Sequence, residues 1–219
     1  ISIGLPVYNG ENFIADALDS ILGQTMPDFE LIISDNASTD RTQEICESYA
    51  AKDQRIRYYR SQENLGASKN YNRTFELANG QYFKWAAHDD ALEPTYLEKC
   101  VEILDREKDV ILCYPRSIMI FHESGEKIPC EEEMVILEET PHERFHHFFE
   151  YVRPGKHECH PVFGLMRSEI LKNTSLIDNF ASSDRTLLGE LSLYGKFYEV
   201  PEFLFLKRYH KKMSIIANA

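Results

Sequence analysis

Phe29-Glu30-Leu31-Ile32-Ile33 runs without a break into Ser34-Asp35-Asn36-Ala37-Ser38-Thr39-Asp40. The first five residues are nearly all apolar, and the next seven are almost all turn formers. An apolar run this short and this continuous reads as a strand covered on both faces, which is the habit of parallel sheets clothed by helices. Its polar turn then lies at the carboxyl end of that strand.

The flanking sequence repeats the scheme. Ile1 to Val7 is an apolar run ended by Pro6 and Asn9-Gly10. Ile14, Ala17, Leu18, Ile21 and Leu22 follow at spacings of three and four, the stripe of a helix that stops at Gly23. After the 35–40 turn a second helix carries Ile45 and Tyr49, with Ser38 or Thr39 available as its cap. Residues 56–59, 82–87 and 110–114 read as further strands, and 67–78 as a helix closed by Asn79-Gly80. Pro94 opens another helix, bearing Tyr96, Leu97, Cys100, Val101 and Leu104. Strand and helix thus alternate through residue 114, which predicts an α/β fold with a mostly parallel sheet flanked by helices. Beyond residue 115 the pattern degrades. Residues 122–140 are acidic and loop-like, while 141–152 and 184–194 read as helices and 197–206 as a strand. This half is expected to form an irregular lobe built onto the sheet.

Such sheets bind ligands beyond the carboxyl ends of their strands. Three polar clusters fall there: residues 6–11, 34–40 and His88-Asp89-Asp90. No G-x-G-x-x-G follows the first strand and no G-x-x-x-x-G-K-[ST] occurs, so dinucleotide and P-loop readings fail. A site rich in carboxylates and poor in lysine can hold a diphosphate if Mg²⁺ or Mn²⁺ bridges the two.

Composition narrows the partners. The 219 residues include 24 Lys plus Arg against 36 Asp plus Glu, a net charge of −12 that argues against gripping a nucleic acid polymer or an anionic membrane by bulk charge. No apolar run is long enough to predict a transmembrane segment. The five scattered cysteines form no C-x-x-C pair, so reduced thiols and a cytoplasmic setting are expected, with peripheral attachment at the inner membrane face as a variant. The start at Ile1 carries neither Met nor a basic leader, and Ala217-Asn218-Ala219 is an unusual end, so the chain is expected to be a domain cut from a longer protein.

Pro6-Val7-Tyr8-Asn9, the turn Asp35 to Thr42, Asn64-Leu65-Gly66, Ala78-Asn79-Gly80 and His88-Asp89-Asp90 together resemble the family 2 glycosyltransferases. The resemblance is close over residues 1–105. It returns at Ser183-Asp184-Arg185, Gly195-Lys196-Phe197 and Arg208 to Ser214, and is absent from about 122 to 160. It implies a GT-A type nucleotide-binding fold, with residues 1–115 as the nucleotide-sugar-binding half and 116–219 as the acceptor-side and catalytic-base half. It also implies an inverting transfer of sugar from a nucleoside diphosphate sugar to a glycan, lipid-linked or other hydroxyl acceptor in glycan or polysaccharide biosynthesis. By the same resemblance Pro6, Val7 and Tyr8 pack on the nucleobase, Asp35 accepts a hydrogen bond from it, and Asp89 faces the ribose. Asp90 and His210 ligate a divalent cation, Mg²⁺ or Mn²⁺, and Asp184 acts as the base. Two departures stand out: His88 replaces an acid of the family's D-x-D wording, and Ser183 replaces the first of a distal acidic pair.

Two competing enzyme or binding readings remain. A sugar nucleotidyltransferase would want a Gly- and Arg/Lys-rich loop after the first strand, which this chain lacks; a non-catalytic nucleotide-sugar-binding lobe would bind without transfer. His142-Glu143-Arg144-Phe145-His146 matches the zinc-protease pattern H-E-x-x-H, but Pro141 sets His142 in the first helical turn, so the expectation is a helix whose Phe145, Phe148 and Phe149 pack while its histidines face water. His157 and His160 are expected in loops.

Overall fold

The computed structural model describes residues 1–130, 134–152 and 160–211. Among them the chain runs β1 (Ser2–Val7), α1 (Ile14–Leu22), β2 (Glu30–Asp35), α2 (Thr42–Ala50), β3 (Ile56–Arg60), α3 (Ala67–Glu76), β4 (Tyr82–Trp85), β5 (Ala91–Leu92), α4 (Tyr96–Arg106) and β6 (Val110–Phe121). The second half adds β7 (Lys127–Pro129), α5 (Pro141–Tyr151), a 3₁₀ turn at His160–Phe163, β8 (Leu165–Arg167), α6 (Ser168–Leu171), α7 (Ser183–Tyr194) and β9 (Lys196–Tyr209).

These strands form one sheet in the order β3-β2-β1-β4-β8-β6-β9-β5, with β7 paired to β6. The β3-β2-β1-β4 side is wholly parallel, so the carboxyl ends of β1, β2 and β4 share one edge. The α/β alternation read from the sequence is therefore present. On the other side β8 enters antiparallel between β4 and β6, and β9 runs parallel to β6. The irregular second half thus donates three strands to the same sheet. Its order is hard to read because β8 is three residues long and the β6–β9 ladder is broken by bulges near Leu112, Arg116 and Ser117.

Apolar side chains divide between the two faces because successive strand residues point opposite ways. Tyr82 joins the cluster of Ile3, Leu5, Ile14, Leu18 and Leu97. Its neighbour Phe83 joins Trp85, Leu112, Phe148, Leu187 and Leu188 across the sheet. Two clothed faces leave the strand ends as the open region.

Some expectations are corrected. Neither Ser38 nor Thr39 caps α2; Asp40 does this work, its Oδ1 accepting from Thr42 N at 3.0 Å and Thr42 Oγ1 at 2.5 Å, while the Ser38 hydroxyl accepts from Asn9 N at 2.9 Å. The 122–140 stretch contains the β7 hairpin arm. In α5 the histidines 142 and 146 do face water, but only Phe148 is buried; Phe145 and Phe149 stand exposed. Buried Arg144 takes the anchoring role instead, donating to the carbonyls of Ser192, Leu193, Glu138 and Glu139 at 2.8–3.1 Å. His160 is buried in the 3₁₀ turn, whereas His157 and residues 212–214 lie outside the described residues.

Candidate active site

Beyond the ends of β1, β2 and β4 opens a cleft of about 350 Å³. Its first wall is the chain leaving β1. Pro6 and Val7 are buried side chains at the floor, and Tyr8, 45% exposed, stands at the mouth. This loop is held in shape by the turn after β2: Gly10 N donates to Thr42 Oγ1 at 2.8 Å, and Thr39 N donates to Asn9 Oδ1 at 2.8 Å. Gly10 is demanded by close approach, since a Cβ there would lie 2.7 Å from Val7 Cγ2 and 2.8 Å from the His88 ring. Gly10→Ala is expected to cost about 1–3 kcal/mol through overpacking, read as a lower urea midpoint, and an unchanged midpoint would show that the loop yields freely.

The second wall is made of amides. Asn36, Asn64 and Asn70 line the cleft. Asn70 donates to Ser34 O at 2.8 Å and accepts from Ser34 Oγ at 2.7 Å, tying α3 to β2. Asn36 donates to Asn64 Oδ1 at 2.8 Å and accepts from Leu65 N at 2.8 Å. Asp35, expected to face the base, does not line the cleft. It is fully buried, its Oδ1 accepting from Ser38 N and its Oδ2 from Tyr58 OH, both at 2.8 Å, with Arg60 Nε at 3.5 Å. The following residue, Asn36, holds the position at the cleft. A one-residue step at the end of a strand reverses the face a side chain presents, so of these two neighbours Asn36 lines the cleft and Asp35 turns to Tyr58 and Arg60.

The third wall joins the two halves of the chain. His88 and Asp89, just beyond β4, face Lys207 from β9 and Phe163 from the 3₁₀ turn. The short β5 pairs antiparallel with β9, Ala91 opposite Leu206, and this brings the His88-Asp89-Asp90 turn against the end of β9. His210 Nε2 lies 2.9 Å from Asp89 Oδ2, and its ring leans on Phe13 with centroids 4.6 Å apart. Burial pushes the Asp89 carboxyl up, but His88, Lys207 and the His210 hydrogen bond outweigh it and hold the group below the usual carboxylate range. Burial likewise lowers His88, against the opposing pull of Asp89 and Asp90.

The pairing of Asp90 with His210 as metal ligands is not what the structure brings together. Asp90 is 4% exposed and points beneath the cleft, where Oδ2 accepts from Lys207 Nζ at 3.0 Å and Oδ1 from Arg208 N at 2.9 Å. An ammonium and a peptide N–H already satisfy this carboxylate. Arg208 adds a hydrogen bond to Asp89 O at 2.9 Å, completing a clasp between the turn and β9. It is Asp89 that meets His210.

Asp184 lies in the first turn of α7, half-buried, its Oδ1 accepting from Arg185 N at 2.9 Å. The N-cap residue Ser182 is left-handed (φ 65°) and makes no side-chain cap. The fields of Asp184, Asp89 and Asp90 all reach Tyr71, a cleft residue, so Asp184 belongs to the same electrostatic neighbourhood. Asn70, Tyr71, Phe163 and Lys207 are not anticipated by the sequence; helix periodicity alone does not tell which polar face of α3 meets a cleft, and Lys207 follows an apolar strand whose partner the sequence does not name. No group of three or more His, Cys, Asp or Glu side chains clusters as a metal site among the described residues.

Comparison with known proteins gives a consistent result. The family model described as "Glycosyl transferase family 2" matches residues 2–174. An uncharacterised glycosyltransferase of Rickettsia typhi is 37% identical over 114 residues, covering 51% of this chain and 35% of that protein. A Bacillus subtilis glycosyltransferase named for teichuronic acid biosynthesis, TuaG, is 36% identical over 104 residues, 48% of this chain and 41% of its own length. The chain thus spans well under half the length of these relatives. Among solved structures, Staphylococcus aureus TarS in complex with UDP-GlcNAc superposes with a TM-score of 0.75 at 19% identity, over all of this chain and 60% of that one. A mannosyltransferase of Pyrobaculum calidifontis in complex with GDP-Man and Mn²⁺ gives 0.69 at 16% identity, over 96% of this chain and 57% of that one. At such identities these two establish the fold.

Proposed function

Because the chain belongs to glycosyl transferase family 2, we propose that it transfers a sugar from a nucleoside diphosphate sugar to an acceptor hydroxyl, with inversion at the anomeric carbon, in the building of a glycan or polysaccharide. The observation that carries this reading is the meeting of His210 with Asp89, which lines the cleft walled by Pro6, Val7, Tyr8 and the asparagines. The nucleobase packs on the Pro6–Tyr8 wall, with the Asp35-Asn36 turn at its edge. A carboxylate and an imidazole are donor types that a divalent cation accepts, and Asp89 and His210, 2.9 Å apart, are the pair that would hold Mn²⁺ or Mg²⁺ beside the diphosphate. When bound, such an ion neutralises charge building on the departing diphosphate.

The protein's own part is binding and proton transfer. Lys207 places positive charge beside the cleft, in a chain whose net charge is −12. Asp184 accepts the proton of the acceptor hydroxyl as its oxygen attacks the anomeric carbon. The carbon–oxygen bond to the diphosphate breaks in the same displacement, and the leaving group keeps that electron pair. The nucleotidyltransferase alternative is disfavoured by the loop after β1, residues 6–11, which contains no Arg or Lys to hold a triphosphate.

A thermal-shift screen of UDP, GDP, dTDP and CDP, each with and without Mn²⁺, tests the reading. One nucleotide is expected to raise the melting temperature markedly, and more so with Mn²⁺, since saturation at 100 Kd adds about 2.7 kcal/mol. No shift with any of them would overturn nucleotide binding. Binding without transfer to any hydroxyl or water would favour the non-catalytic lobe.

A further inference from the structure

Tyr71 is a cleft residue that the reading above leaves without a task. Its neighbours on α3 fix it from both sides. Asn70 is bound to β2 through Ser34, and Asn72 exchanges two hydrogen bonds with the backbone of Ile177, Nδ2 to Ile177 O at 2.9 Å and Ile177 N to Oδ1 at 3.1 Å. The first contact anchors α3 to the nucleotide side, and the second anchors it to the segment leading into α7. Trp85 completes the mounting: its Nε1 donates to Tyr71 O at 3.0 Å, and the two rings lie 6.2 Å apart. The ring of Tyr71 therefore cannot drift along the cleft.

Its hydroxyl is different. No hydrogen-bond partner meets it among the described residues, although the tyrosines 49, 58, 82, 96 and 114 all donate from theirs. A hydroxyl left unpaired on a half-buried side chain that lines a cleft is a donor available to a ligand oxygen. Burial and the surrounding carboxylates of Asp89, Asp90 and Asp184 all push its ionisation upward, so it stays a neutral O–H.

We propose that Tyr71 is a positioning residue for the sugar of the donor, its hydroxyl donating a hydrogen bond to a sugar oxygen between Asp89 and Asp184. The placement follows from the two acids. Asp89 marks the diphosphate end and Asp184 the side from which the acceptor attacks, so the group between them is the sugar ring. The inference rests on the nucleotide-sugar reading of the cleft.

Tyr71→Phe removes the hydroxyl and keeps the ring that packs on Trp85, so the melting temperature should stay near wild type. Titration calorimetry with the nucleoside diphosphate chosen by the screen and with its sugar-bearing form reads the effect. The variant should bind the bare diphosphate as wild type does and the sugar nucleotide about tenfold more weakly, the scale of one lost hydrogen bond. Equal weakening of both ligands would move the contact to the diphosphate and overturn the proposal, as would no change in either. Wild-type protein that binds neither ligand would instead overturn the donor reading itself.

Discussion

Asp184→Asn is expected to slow sugar transfer by about 10² or more while nucleotide affinity and melting temperature stay near wild type. A direct displacement at an anomeric carbon needs a proton acceptor opposite the departing diphosphate, and the acid assigned to this task must be free of cations that would hold it elsewhere. Asp184 meets that condition. Its hydrogen bond is to Arg185 N, one residue on, and it enters none of the ion pairs found among the described residues. Position in the first turn of α7 places it where the helix dipole stabilises negative charge. The rival role is structural, that of helix cap. Asparagine caps as well as aspartate, so the substitution separates the two: a cap survives it and a base does not. Single-turnover measurement at saturating donor is the decisive assay, because it isolates the chemical step from binding. Near-normal turnover in the variant would return Asp184 to the cap and move the base elsewhere.

The parallel half of the molecule is legible because its signals are local. Leu31-Ile32-Ile33 and the stripe Ile14, Ala17, Leu18 and Ile21 announce strand and helix without knowledge of their partners, and all seven are buried. β8 cannot be read this way. Three residues, Leu165–Arg167, carry no period, and their place between β4 and β6 is set by pairing alone. The site shows the same division. The turns bearing Asp35-Asn36 and Asp89-Asp90 stand out in the sequence, but which member of each pair faces the cleft depends on strand geometry at a single residue. In both pairs the buried acid does structural work: Asp35 joins the β2 turn to Tyr58, and Asp90 joins the β4 turn to β9. Their neighbours Asn36 and Asp89 are the ones that line the cleft. The sequence points to His210 as well, but the acid it meets is Asp89, one position from Asp90, because the long reach of β9 back to β5 is a tertiary fact.

That distinction between neighbours gives the second large effect. Asp90→Ala is expected to destabilise the fold by about 3–5 kcal/mol, the usual cost of removing one partner from a buried ion pair. Asp90 and Lys207 are 4% and 9% exposed, and the buried ammonium loses its carboxylate partner when Asp90 goes. Arg208 N loses its acceptor in the same change, so the end of β9 that carries His210 loosens from the turn. Asp89→Asn should behave in the opposite manner. Asparagine can still accept from His210, and the clasp on Asp90 is untouched, so the loss in stability is small. What disappears is the charge that would hold a dication, and with it the additional melting-temperature rise that Mn²⁺ gives to the bound nucleoside diphosphate. Urea unfolding of both variants, followed by the nucleotide screen with and without Mn²⁺, reads the two effects apart. If Asp90→Ala kept wild-type stability and lost only the Mn²⁺ effect, then Asp90 would be the ligand after all, and Lys207 would be an incidental neighbour that gives way when the ion arrives.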